Sequence, residues 1–250
     1  MQYRQMQMNN NPLLFFTQND IPFPSAKLII HNPTINELGL ISEESFRIAH
    51  QMIINIPKEL KSQGNSDLSK KDDFDIFIEV INQKDNKSIE YRNHLLSLLT
   101  LLFPKYRLRI REKDIQLLSI SDNETFFIDT TNFADFQNII NNMFSFETTS
   151  SNDYNPADKR AEKIADKLRT RKKKGSGKAE DIKISIYRRY ASILSIGMKI
   201  DLNIILNYTV CQLEVQFKRF TMWMKWENTF RMKMAGATNL EEVEDWMQEI

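Results

Sequence analysis

Apolar and polar residues follow two different periods along this chain. Three short β-prone runs occupy 106–110, 115–120 and 125–128, and in the first of them arginine alternates with leucine and isoleucine, as on a strand with one solvated face. From residue 157 onward, every strong apolar pattern has the three- and four-residue spacing of an amphipathic helix. The chain is therefore predicted to have an α+β fold, in which an N-terminal mixed α+β domain is followed by a C-terminal helical bundle.

Capping residues predict where the first helices begin. Residues 27–31 are β-prone and are followed by Thr34, which stands three residues before a glutamate, the spacing of a capping box. Ser42 is predicted to cap a second helix, with Phe46 on its buried face, that ends near Pro57.

Three longer apolar runs complete the N-terminal half. Residues 95–103 are almost entirely apolar and predict a buried helix that ends at Pro104, and residues 133–144 are also predicted to form a helix. Residues 74–81 alternate between apolar and polar near their start, which favours a strand, although periodicity alone leaves a helix open. A turn is predicted at Asp122 and Asn123, between the second and third β-prone runs.

The C-terminal half is predicted to be entirely helical. Gly197 is expected to end one helix, Asp201 to cap a short one, and Thr209 to begin the longest, which reaches Met234. A second capping-box spacing at Thr238 predicts a final helix, and a first helix is predicted at 157–174.

Composition sets the expected boundaries between these regions. The first residues are rich in glutamine, asparagine, methionine and proline, and a polar stretch separates the two halves. The predicted organisation is a flexible N-terminal arm at 1–24, an α+β domain at 25–146, a linker at 147–156 and a helical domain at 157–250.

Charge and cysteine content narrow the function classes. The net charge is +1 with 27% charged residues, so the molecule as a whole is not an electrostatic nucleic-acid binder. Cys211 is the only cysteine, which excludes an internal disulfide and fits a reducing cytosol. The apolar runs are about half the length that crosses a bilayer, and no signal-peptide pattern is evident. We expect neither secretion nor contact with a membrane.

The residues that usually carry catalysis or bind metals are scattered. The three histidines lie far from one another and from the cysteine, without metal-ligand spacing. Gly175-Ser176-Gly177-Lys178 resembles the end of a phosphate-binding loop, but the spacing of its glycines is wrong and no apolar strand precedes it. We expect no catalytic site, no cofactor and no metal.

A basic segment lies between residues 158 and 178, where ten lysines and arginines stand against three acids. It is either a solvated helix face running into a flexible loop, a docking site for an acidic protein surface, or a contact for a nucleic-acid backbone. The residues proposed for such a basic patch are Lys167, Arg169, Arg171, Lys172, Lys173, Lys174 and Lys178.

The longest predicted helix is unusually rich in aromatic residues and methionine. Helical projection separates its large side chains into one stripe that includes Leu213 and Met224 and a second, partly overlapping stripe. Such a helix is either buried on several sides within its own bundle or presents one stripe to a partner. The candidate partner-binding residues are Phe217, Phe220, Trp223, Trp226, Phe230 and Met234.

Three C-terminal segments, 155–169, 190–220 and 233–247, together resemble the tail assembly chaperone-like proteins of tailed bacteriophages of low-GC hosts. The resemblance implies a non-enzymatic chaperone or scaffold in the host cytoplasm, which holds the tape-measure or tail-tube protein during assembly. Two alternatives remain: a structural component of the virion tail or baseplate, and a nucleic-acid-binding or host-defence-blocking phage protein that uses the basic segment.

Overall fold

A short β-hairpin is the first sheet of the described chain. The computed structural model describes residues 15–17, 20–55, 57, 71–144, 185–237 and 247. Strands β1 (Ile21–Phe23) and β2 (Leu28–Ile30) are antiparallel and are joined through a 3-10 turn at Pro24–Ala26. The side chains of Ile21, Phe23 and Ile30 are almost fully buried, so the hairpin lies against the core.

The extent of the predicted N-terminal arm needs correction. Residues 21–23 were expected in a flexible arm but form β1, and Phe23 is completely buried. Phe15 also belongs to the hydrophobic core. The sequence did not predict β1, because a three-residue strand is too short to show a two-residue period.

The two predicted N-terminal helices are confirmed. Thr34 caps α1 (Ile35–Leu38) through a capping box, in which its Oγ1 accepts from the Glu37 N–H at 3.3 Å and the Glu37 carboxylate accepts from the Thr34 N–H at 2.8 Å. Ser42 caps α2 (Glu43–Ile54) by accepting from the Ser45 N–H at 3.0 Å.

Residues 74–81, for which a strand was favoured, form a helix. Helix α3 (Asp73–Asn82) buries Phe74, Phe77, Ile78 and Ile81, which have the i, i+3, i+4, i+7 spacing of one helical face. The strand prediction is therefore wrong, because the helical period extends over the whole segment whereas the alternation covers only its start. Asp73 and Asp75 in the first turn also stabilise the helix, because their negative charges interact favourably with the helix dipole.

The remaining N-terminal elements agree with the predicted pattern. Helix α4 (Asn86–Leu102) begins earlier than predicted, because Asp85 caps it by accepting from the Ser88 N–H. Strands β3 (Tyr106–Ile110), β4 (Ile115–Ser119) and β5 (Thr125–Ile128) form an antiparallel meander, and helix α5 (Phe133–Met143) follows. Asn123 adopts a φ of 58° in the turn between β4 and β5.

Three helices form the described C-terminal part. They are α6 (Ile186–Met198), α7 (Leu202–Leu206) and α8 (Val210–Met234), and Asp201 caps α7 as predicted. Gly197 does not end α6, contrary to expectation. The helix continues to Met198 and ends where Lys199 adopts a left-handed φ of 57°.

A single hydrophobic core joins the two halves of the described chain. Tyr187, Leu194 and Leu213 from the C-terminal helices belong to the same cluster of buried residues as the N-terminal elements. Backbone hydrogen bonds also cross between them, since the Ile35 N–H donates to the Tyr208 carbonyl at 2.8 Å. The predicted linker, the first predicted C-terminal helix and nearly all of the last one lie outside the described residues. The fold is α+β.

Candidate partner-binding surface on helix α8

Helix α8 is fixed at its N-terminus by its cap. The Thr209 hydroxyl accepts from the Gln212 N–H at 3.3 Å, and the Gln212 side-chain oxygen accepts from the Thr209 N–H at 2.9 Å. The Gln212 amide also donates to the Phe16 carbonyl at 2.7 Å. At 25 residues the helix is about 37 Å long.

The first stripe of α8 packs against the protein itself. Leu213 is fully buried, and the ring of Phe217 stacks on Tyr190 with centroids 3.8 Å apart and planes 10° from parallel. The ring of Phe220 lies directly over Gly197, where an added Cβ would stand 2.1 Å from its Cζ. Phe217 and Phe220, both predicted as partner-binding residues, thus contribute to internal packing.

This inward stripe becomes polar after Met224. The positions that continue it are Glu227 and Arg231, whose side chains form an ion pair at 2.7 Å. The second stripe remains apolar over the same turns, with Trp226 39% exposed, Phe230 51% and Met234 75%. The outer half of α8 therefore presents large apolar side chains to solvent.

The aromatic rings of this exposed stripe pack against neighbouring rings. Trp226 and Phe230, four residues apart, stack with centroids 5.5 Å apart and planes 9° from parallel. Trp223 is half-buried, and its ring lies 6.0 Å from that of Phe220. Trp223 thus joins the inward-packed residues to the exposed ones.

The end of α6 adds two exposed apolar side chains that sequence reasoning missed. Ile196 is 78% exposed and Met198 43%, and they flank Gly197, on which Phe220 lies. They are scattered apolar residues in the sequence, and they adjoin the point where Gly197 of α6 meets Phe220 of α8. The apolar strip is defined here as Trp223, Trp226, Phe230 and Met234 of α8.

The helix that carries the strip is basic. Beyond Phe217, α8 has five lysines and arginines and a single acid, Glu227. Lys225 and Lys233 are exposed. By helical projection, Lys233 flanks the strip on one side and Arg231 on the other.

No family model, curated protein or solved structure matches this chain. Within the described residues, no helix is both long and apolar enough to cross a membrane. The basic-patch residues between 167 and 178 lie outside the described part of the chain.

A cavity of about 420 Å³ lies between the start of α2 and helices α6 and α7. Phe46, Tyr187 and Leu206 line it, and Glu43 is the only carboxylate in its described lining. Both Glu43 oxygens accept from the Ile186 N–H at 3.1 Å, so this carboxylate caps α6. Burial raises the pKa of the Tyr187 phenol far above its ordinary range, which keeps the phenol protonated. The cavity can hold an apolar group but presents no acid–base pair.

Two of the titratable residues noted in the sequence, Cys211 and His31, have side chains that lie close to other groups of the protein. Burial raises the pKa of the Cys211 thiol, which disfavours the reactive thiolate. His31 lies between Asp20 and Glu37, with nitrogen–oxygen distances of 2.9 and 3.1 Å. Among the described residues, no three His, Cys, Asp or Glu side chains are grouped as metal ligands would be.

Proposed function

We propose that this chain acts by binding another protein, and that the apolar strip on α8 is its docking surface. The observation that carries the proposal is the exposure of Trp226, Phe230 and Met234 on a helix whose inward stripe has already become polar. Contiguous exposed aromatic and methionine side chains are typical of interaction surfaces.

The energetics suit a specific contact. Covering the exposed parts of Trp226 and Phe230 would contribute on the order of 1–2 kcal/mol each, about a tenfold change in affinity per side chain. The two rings are already stacked on each other, which lowers the conformational entropy lost when a partner binds them. Trp226 and Phe230 are therefore the expected centre of the interface.

The identity of the partner is proposed on the sequence resemblance alone. On that basis the chain is a tail-morphogenesis protein in the host cytoplasm, a non-enzymatic assembly chaperone or scaffold that binds a tape-measure or tail-tube protein. Two of the three resembling segments, 190–220 and 233–247, include residues that form α6 and α8 or follow them directly. The alternative role, as a structural part of the tail or baseplate, would use the same surface.

The test compares the Trp226→Ala/Phe230→Ala variant with a Leu40→Ala/Ile120→Ala control, which removes exposed apolar side chains elsewhere. Tagged proteins are captured from infected-cell lysate, and purified particles are analysed by mass spectrometry alongside. We expect the tape-measure or tube protein to co-purify with the wild type and the control, at least tenfold less with the variant, and the chain to be absent from particles.

Two results would overturn parts of this proposal. Equal capture of the tail protein by the variant and the control would show that the strip is not the docking surface. Recovery of the chain in particles at a fixed stoichiometry would make it a structural component instead of a chaperone. Since Trp226 and Phe230 are exposed, the free energy of unfolding of the variant should lie within about 1 kcal/mol of the wild-type value. Urea titration measures this difference.

A further inference from the structure

We infer that the segment of the partner that docks on the apolar strip is an acidic amphipathic helix. The inference rests on the proposed function and specifies the chemistry of its partner. Three properties of the strip support it: its shape, the charge around it, and the stacking of its rings.

The shape of the strip suits a second helix. Trp226, Phe230 and Met234 follow one another at intervals of four residues and form a line about 12 Å long, a little over two helical turns. Rows at i, i+4 and i+8 are the ridges that interdigitate when two helices pack. An amphipathic helix that places its apolar face along this line would cover all three side chains.

The charge around the strip selects an acidic partner. Three basic residues and one acidic residue occupy α8 beyond Phe220, and that acid, Glu227, is already paired with Arg231 at 2.7 Å. Carboxylates on the flanks of the docking helix would face Lys233 on one side and Arg231 on the other. A contact between the α8 helices of two copies would instead bring the same positive charge together, which disfavours that contact.

The stacked rings favour a protein over a nucleic acid. Trp226 and Phe230 lie parallel, 9° apart, with centroids separated by 5.5 Å, so each already has part of one face covered by the other. Single-stranded nucleic acids bind by stacking bases on aromatic faces, which would use only the outer faces of this pair or separate it. Apolar side chains of a helix can cover the exposed surfaces of the rings without disturbing their stacking.

The test measures binding of the full chain to designed peptides by fluorescence anisotropy. One peptide is an amphipathic helix with leucine on one face and glutamate among the remaining positions. The matched peptide has lysine in place of every glutamate. We expect the acidic peptide to bind at least tenfold more tightly than the basic one at low salt, and its affinity to fall as salt screens the flanking charges.

Variants separate charge from apolar contact. Arg231→Glu/Lys233→Glu should weaken binding of the acidic peptide about tenfold and strengthen binding of the basic one. Lys84→Glu/Lys113→Glu, an equal charge change at exposed positions elsewhere, should change little. Trp226→Ala/Phe230→Ala should abolish binding of both peptides.

The outcomes distinguish this inference from the proposed function. Equal binding of both peptides, lost on removal of Trp226 and Phe230, would leave the docking surface standing and overturn the acidic partner. Failure of the acidic peptide to bind better than the basic one would likewise overturn it. Tighter binding of oligo-dT or of anionic phosphatidylglycerol vesicles, dependent on the same two residues, would replace the helix with a nucleic acid or a lipid surface.

Discussion

At the scale of single residues, the burial of His50 makes the stability of the fold depend on pH. It lies between Phe46 and Phe144, with ring centroids 6.1 Å from each, and burial lowers its pKa to about 4. The unfolded chain protonates this residue near pH 6.5, whereas the folded chain resists protonation until about pH 4. Its contribution to stability is therefore full above pH 6.5 and is lost as the pH falls towards 4.

Replacement of His50 should flatten this acid dependence. In His50→Leu, the drop in the free energy of unfolding between pH 7 and 4.5 should be smaller than in the wild type by about 2 kcal/mol. Urea titrations at a series of pH values measure it. An unchanged drop would show that His50 is not the group responsible.

His31 supplies a control of opposite sign. Burial by itself lowers its pKa, but hydrogen bonds to the Asp20 and Glu37 carboxylates outweigh that effect and raise it above 6.5. The stability that His31 contributes is thus present below pH 6.5 and is lost as the pH rises through the raised pKa. His31→Gln should therefore destabilise the chain more at pH 6 than at pH 8.5.

At the scale of elements, a capping box at Thr209 fixes the start of α8. Thr209 is fully buried, and its hydroxyl accepts from the Gln212 N–H. Thr209→Ala should lower the free energy of unfolding by about 1 kcal/mol, whereas Thr209→Ser, which keeps the hydroxyl, should lose less. Circular dichroism during urea unfolding measures both. Equal losses would mean that the methyl group, and not the cap, stabilises this position.

Caps and uninterrupted periods made most elements predictable. The capping box predicted at Thr34 begins a helix, the longest helix starts after Thr209 as expected, and the strands at 106–110 and 125–128 match their predicted runs. The helix at 73–82 was missed because the alternation at the start of a short, mostly apolar run favoured a strand, although the helical period extends over the whole run. For such segments, contacts with residues that are distant in the sequence decide between helix and strand.

At the scale of the whole molecule, the shared core predicts joint unfolding of the two halves. Leu194 of α6 is 1% exposed and belongs to the cluster that also contains the N-terminal helices. Leu194→Ala should cost about 2–5 kcal/mol. Amides of both α2 and α8 should lose protection by similar free energies in native-state hydrogen exchange. Loss of protection confined to the C-terminal helices would instead indicate two independently stable domains.

The sequence predicted only part of the candidate surface. The sequence predicts two apolar stripes on α8, and all six predicted partner-binding residues lie on that helix. The structure separates them into Phe217 and Phe220, which pack on α6, and Trp226, Phe230 and Met234, which are exposed. The exposure of Ile196 and Met198 beside Gly197 could not be predicted, because it depends on where α6 meets α8.

The sequence by itself determined the fold class, most helix and strand positions, and the angular separation of the two stripes, since all of these follow from local periodicity and capping. Only the tertiary structure decided which stripe is covered. Gly197 lets α6 approach closely enough for the Phe220 ring to lie on it, and that contact turns one stripe inward and leaves Trp226 and Phe230 facing solvent. Periodicity specifies a direction around a helix axis, but burial also requires a neighbour, and the neighbour comes from a distant part of the chain.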